Sequence, residues 1–357
     1  MKVLSIVDSF KGTLTSVEIS HIIEEELGKK GIEVTSIPIS DGGEGFLDAY
    51  KFRSDFDEVT VHTFDPFRKE IDCYYLYDKE TKTAIIEMAK SSGITLVDKL
   101  DPFIASTYGL GIVIKDAINH GAKEIVVGIG GSCSNDAGVG MLQALGVKFY
   151  DEDNNLIECY SNIDLPLINR IELDSFKELT SKIKFVICSD VTNPLLGPNG
   201  ATYIFSPQKG AKEEDLPILE ANISHFAEFK EGQTLQGSGA AGGVGYAFRA
   251  YFNSFFYSGI SYLLEKIDFN ELIRDYDYIF TGEGKVDNQS LKGKVISEII
   301  RRCVSKRVIL ICGINELDIS LGTNVRVVSV VGQVYTIEES LKNPKETLAS
   351  TIRRLVL

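Results

Sequence analysis

Residues 128 to 141 read GIGGSCSNDAGVGM, directly after the apolar run Ile125-Val126-Val127 and directly before Leu142-Gln143-Ala144-Leu145. A short β-branched run, then glycines and small hydroxyls, then an apolar segment is the order of a strand, a backbone-exposing loop and a helix start. Such a loop suits an anion, because glycines let the main chain approach a ligand while free N–H groups and the helix dipole favour negative charge. Gly130, Gly131, Ser132, Ser134 and Asn135 offer backbone and neutral side-chain donors. Asp136 adds a carboxylate that suits a metal-bound phosphate better than a naked one. Taken alone, the stretch reads equally well as a tight βα turn closed by a capping Ser or Asn. Cys133 would need an activating base to act as a nucleophile, and no His lies near it in sequence.

Similar polar loops recur after other apolar runs. Val3 to Val7 reads as a buried parallel strand leading into Asp8-Ser9-Phe10-Lys11-Gly12-Thr13. Glu33 to Pro38 precedes Ser40-Asp41-Gly42-Gly43-Glu44-Gly45, which an Asp-Gly turn would also explain. Phe185 to Cys188 leads into Ser189-Asp190-Val191-Thr192-Asn193-Pro194, where Asp190 could instead cap a turn. Tyr278 to Phe280 precedes the loop Thr281 to Lys294, TGEGKVDNQSLKGK, which carries Gly282, Glu283, Lys285 and Asp287. Charged groups at the carboxyl ends of parallel strands are where open α/β sheets bind ligands.

The elements that must hold these loops follow from periodicity. Thr15 and Glu18 have capping-box spacing before a helix with Ile19, Ile22, Ile23 and Leu27 on one face. Val59 to Val61, Ile71 to Tyr75 and Thr83 to Ile86 alternate and are separated by turn residues, which predicts antiparallel hairpins. Thr107 to Asn119 reads as a helix, Phe149 to Asn155 as a hairpin and Ala201 to Phe205 as a short strand. Val308 to Cys312 and Val325 to Val331 restore the parallel character. The chain therefore reads as a two-domain α/β protein. Residues 1–60 and 270–357 build a Rossmann- or flavodoxin-like parallel-sheet domain from both ends, and residues 61–269 form an inserted mixed-sheet α/β domain. Gly237 to Gly242 matches GxGxxG in form, but the polar stretch Lys230 to Gln236 precedes it where a strand should stand, so close helix packing is the better account.

The bulk properties narrow the function. At 357 residues with 44% hydrophobic content the chain can bury substantial cores. A formal net charge of −14 argues against nucleic acid or an anionic membrane as partner. No apolar run approaches a membrane span or a signal peptide, which predicts a cytoplasmic protein. Six scattered cysteines without CxxC pairs predict neither zinc nor disulfides. A homo-oligomer stays open.

Taken together, DSFKGT (from Asp8), SDGGEG (from Ser40), GGSCSNDAG (from Gly130), SDVTNPLLG (from Ser189) and TGEGKVDNQSLKGK (from Thr281) resemble the type I glycerate kinases. PQKGA (from Pro207) and GSGAAGGVG (from Gly237) match as well, so the resemblance runs over nearly the whole length. It implies ATP- and magnesium-dependent phosphorylation of D-glycerate, usually to 2-phosphoglycerate, in a cleft between two α/β domains. A product phosphorylated at the 3-position stays open. Cys133-Ser134, Ala137-Gly138 and Cys312-Gly313-Ile314 stand where the family usually carries Ala-Thr, Gly-Gly and Ala-Gly-Ser. Phosphoryl transfer needs cations and N–H donors on phosphate oxygens, carboxylates for magnesium and an acceptor for the hydroxyl proton. On the resemblance, Lys11 serves the transferring phosphate or the glycerate carboxylate. Asp190 and Asp287 serve proton acceptance and magnesium, with Asp8, Ser9, Asp41, Gly42, Gly43, Glu44, Asn193, Gly282, Glu283 and Lys285 contributing to substrate or phosphate binding. There is no Walker A motif, since Val295 follows Gly293-Lys294. The alternatives are a non-catalytic sensor of a hydroxy acid or nucleotide, and a dehydrogenase resting on the GxGxxG.

Lys11→Met is expected to lose several kcal/mol of transition-state stabilisation, and Lys11→Arg to restore it only in part, because a planar fork cannot replace a compact charge. Steady-state kcat and KM for each substrate check this; unchanged values would show a solvated lysine.

Overall fold

Both ends of the chain feed one sheet. In the computed structural model, which describes residues 1–10, 12–39, 43, 45–51, 56–288, 290–291, 295–332 and 334–357, β1 (Lys2–Val7) and β2 (Glu33–Ser36) open the chain. The middle supplies β3 (Asp57–Phe64), β4 (Glu70–Asp78), β5 (Thr83–Glu87), β6 (Glu124–Gly128), β7 (Lys148–Tyr150), β8 (Leu156–Ile157), β9 (Arg170–Glu172), β10 (Lys184–Cys188) and β11 (Ser254–Tyr257). The C-terminal part adds β12 (Tyr278–Val286), β13 (Arg307–Asn315) and β14 (Val325–Ser329).

The order β14-β13-β12-β1-β2 is parallel throughout, so β1 and β12 are neighbours although far apart in sequence. The second sheet, β11-β10-β6-β5-β4-β3, is mixed: β11, β10, β6 and β5 run parallel, while β4 and β3 form an antiparallel edge. A small antiparallel sheet, β8-β7-β9, completes the described strands. By its contacts the chain divides into two compact units, one of Met1–Asp41, Asp48–Arg53 and Gly259–Leu357, the other of Gly42–Leu47 and Ser54–Ser258.

Composition explains the layering. β1, β6 and β10 are apolar along nearly their whole length and buried on both faces, whereas β3 alternates because one face meets solvent. In the first unit Val3, Val7, Phe280 and Ile309 pack beneath Ile19, Ile23, Leu348 and Ile352. In the second, Tyr75, Ile125, Val127, Phe149, Phe185 and Phe248 share one core. Two expectations are corrected. Ala201–Phe205 is a helical turn, with Ile204 N and Ser206 N donating to the carbonyls of Gly200 and Thr202. A five-residue apolar run cannot fix its own period, and here the Gly197–Gly200 turn starts a helix. The expected loop from Thr281 is strand as far as Val286, in register with Asn315.

The helix Ser16–Gly28 carries the expected capping box: Thr15 Oγ1 accepts from Glu18 N (3.1 Å) and the Glu18 carboxylate accepts from Thr15 N (2.9 Å). The terminal helix Pro344–Arg354 is fastened to it. The Arg353 guanidinium donates twice to the Glu26 carboxylate (2.9 and 3.0 Å), and Lys29 donates to the same group (2.8 Å). The Arg353 and Lys29 bonds hold the buried Glu26 carboxyl down at about 2 against an ordinary 4.5. A carboxylate with a depressed folded pKa stabilises fully above its unfolded value, and that contribution fades as pH falls from 4.5 toward 2. Urea midpoints should therefore drop over this window more steeply in the parent protein than in Arg353→Met; parallel curves would remove the pair from acid stability.

Candidate functional site

In the second unit, Gly130, Gly131 and Ser132 meet Ser189, Val191, Gln208, Lys209 and Ala241 around a cavity of about 310 Å³. The cavity lies at the carboxyl ends of β6 and β10, whose loops are joined by Ile129 N donating to Cys188 O (3.2 Å). Gly131 has φ +72°, the left-handed backbone that favours glycine. Among the described residues, none accepts from the backbone N–H of Gly130, Gly131 or Ser132.

Lys209 supplies the charge. Its chain enters on the turn Pro207–Lys209, and the side chain runs inward until only 2% of the residue is exposed. Nζ donates to Ser132 Oγ (2.8 Å) and to the carbonyl of Ser134 (2.6 Å). Among the described residues no carboxylate forms an ion pair with it. Burial pulls its pKa down to about 8, with the Cys133 thiol and Asp136 carboxyl opposing that shift. In the sequence PQKG stands out only as part of the resemblance, and no residue near it gives Lys209 a role.

The same loop corrects the expectation for its helix end. Asp136 is fully buried and accepts from Thr107 N (2.9 Å), Thr107 Oγ1 (2.6 Å), Gly138 N (3.0 Å) and Gly140 N (3.4 Å). The protein's own carboxylate thus occupies the donors that a helix start would offer an outside anion. Burial raises the Asp136 pKa while these bonds oppose the rise. Asn135 is also buried, its side-chain amide donating to Thr202 Oγ1 (3.4 Å) and its backbone carbonyl accepting from Asn162 Nδ2 (2.9 Å). Burial pushes the Cys133 thiol up to about 11, so no thiolate nucleophile exists there at neutral pH. The GxGxxG stretch is a packing device: a Cβ at Gly242 would overlap the carbonyl of Ser134, and one at Gly239 that of Pro194.

Asp190 is half-buried, between the cavity residues Ser189 and Val191. Asn193 is spent on a turn, its amide donating to Asn199 O (2.9 Å). In the first unit, Ser9, Glu283 and Lys285 line a cavity of about 330 Å³ with Phe10, Ile314 and Val331. It lies at the ends of β1, β12 and β13, where the strand order reverses. Lys285 is half-exposed and paired with Glu316 (2.8 Å), which raises its pKa. Gly282 sits inside β12, where a Cβ would overlap the carbonyl of Ile311, so it serves strand packing. Asp8 Oδ1 accepts from Ser9 N (2.7 Å), and Asp287 Oδ1 from Ser290 N (3.2 Å). Gly43 is buried and accepts from Phe46 N (3.2 Å). Lys11, Asp41, Gly42 and Glu44 lie outside the described residues.

Parallel strands presenting a glycine loop and a buried ammonium without a carboxylate partner are the equipment of an α/β enzyme that handles small anions. The chain belongs to the glycerate kinase family, which it matches over residues 3–357. It is 36% identical to a glycerate kinase of Bacillus subtilis over 304 residues, 82% of this chain and 79% of that one. It is 33% identical to the glycerate 2-kinase of Escherichia coli K12 over 372 residues, covering 99% and 97%. A Salmonella typhimurium LT2 crystal structure, itself assigned only provisionally as glycerate kinase 2, superposes with a TM-score of 0.81 at 32% identity, covering 99% and 96%. The protein is therefore a kinase of a family that phosphorylates glycerate, which sets aside the sensor and dehydrogenase readings. No helix among the described residues is long and apolar enough to cross a membrane.

Asp136→Asn places amide hydrogens against donors already committed to a carboxylate. A loss of roughly 2–4 kcal/mol in urea unfolding is expected. A loss below about 1 kcal/mol would contradict the capping role.

Proposed function

We propose that the protein catalyses ATP-dependent phosphorylation of D-glycerate at the 2-hydroxyl, with magnesium entering on the nucleotide. The observation that carries the reading is the near-full-length match to a relative named glycerate 2-kinase, joined to a cavity in which a buried ammonium faces backbone donors. On this reading Asp190 accepts the proton of the attacking hydroxyl as the hydroxyl oxygen bonds to the γ-phosphorus and ADP leaves. Magnesium bound by nucleotide phosphates needs only one or two protein carboxylates, and Asp190 or Asp287 is the carboxylate we assign to it. When bound it neutralises charge on the phosphate oxygens. The cavity at the ends of β1, β12 and β13, with Phe10, Ile314 and Val331 in its walls, suits the nucleoside end of ATP. A reaction fed by ATP places the enzyme in the cytoplasm on this reading.

The test is a coupled assay with D-glycerate, MgATP, enolase and pyruvate kinase. NADH oxidation through lactate dehydrogenase without added phosphoglycerate mutase is expected; a signal only after adding mutase would mean the 3-phosphate, and none in either case would overturn the reaction. In the same assay Asp190→Asn should lower kcat by about 10²-fold or more while the folded state persists by circular dichroism. Near-normal turnover would take proton acceptance away from Asp190.

A further inference from the structure

Three observations converge on the second-unit cavity. Among the described residues Lys209 is the single lining cation, and it is buried with no carboxylate ion-paired to it. A buried cation without a counter-charge is costly, so a site that keeps one is built to receive negative charge. Among the described residues the remaining polar lining is neutral, from Ser132, Ser189 and Gln208 and from the backbone N–H groups of Gly130, Gly131 and Ser132.

We propose that Lys209 is the carboxylate anchor of the hydroxy-acid substrate, so that the second-unit cavity holds glycerate and not the nucleotide triphosphate. The proposal rests on the kinase reading above and extends it by assigning one substrate to one set of residues. One ammonium neutralises one carboxylate, whereas even a magnesium-bound triphosphate keeps more net negative charge than a single lysine compensates. Ser132 Oγ and the Ser134 carbonyl hold Nζ in place, so the cation is positioned before the ligand arrives.

Two measurements decide it. Lys209→Met should raise KM for D-glycerate by at least about 100-fold, the scale of a lost buried charge partner, and leave KM for ATP within about threefold. A rise for ATP instead would make this the phosphate site and overturn the proposal, as would a folded variant with both constants unchanged. Calorimetry of the parent protein with D-glycerate alone keeps the question open to refutation even if the variant fails to fold. A ligand carboxylate should restore the proton to a lysine whose pKa is about 8 when empty. Titrations at pH 8.5 in buffers of different ionisation enthalpy should then show uptake of roughly three-quarters of a proton, falling toward zero at pH 6.5. The other titratable groups acting on Nζ are the Cys133 thiol, protonated up to about 11, and the Asp136 carboxyl. Binding without proton uptake at pH 8.5, or no binding of glycerate, would sink the anchor. Uptake in a protein that transfers no phosphate would support the anchor and refute the kinase reaction instead.

Discussion

The second unit depends on a buried ammonium. Lys209 gives up its hydration to brace a loop, donating to a hydroxyl and a carbonyl within GGSCSNDAG. An apolar side chain of similar length would fill the same space at lower cost, which is why such a cation is a better sign of function than of stability. Around it the backbone is packed as closely as glycine permits. The left-handed run Ala241-Gly242-Gly243 presses on Ser134 and Ala137, and Ala137 N donates to Gly242 O (3.0 Å). The loop is thus fixed from beneath by Asp136, from one side by the glycine run and from another by Lys209.

Much of this architecture is legible in the residues. The parallel strands are readable because they are buried on both faces, so β-branched runs such as Ile125-Val126-Val127 carry no polar alternation. The antiparallel edge is readable for the opposite reason, as alternation in β3. The short Ala201–Phe205 segment is ambiguous in sequence, because five residues satisfy either period and the turn before it decides. At the site, local chemistry points to the loops, but not to which groups within them face a ligand. Asp136 and Ser132 are near neighbours in one motif, yet one is sealed inside and the other lines the cavity. Lys209 lies 75 residues beyond the carbonyl it binds, so nothing local to PQKG announces the contact.

The departures from the family's usual residues acquire physical meaning. Ala137 stands where glycine is usual and has φ +50°, a backbone that costs an L-residue about 1–2 kcal/mol. Its methyl is fully buried beside Gly243, so packing offsets part of that strain. Ile314, where a serine is usual, gives the first-unit cavity an apolar wall in place of a hydroxyl.

The pairing of β1 with β12 has a consequence for how the chain acquires its shape during synthesis. Val3 takes Tyr278 as its partner, and Glu26 near the start of the chain is clasped by Arg353 near its end. All of Ser54–Ser258 has been translated before Tyr278 exists, so the inserted unit can collapse around its own core while β1 and the helix after it still lack most of their partners. The sheet of this unit closes last, and β1, although β2 can pair with it early, keeps its β12 side open for most of translation, the state in which a nascent chain most needs a chaperone.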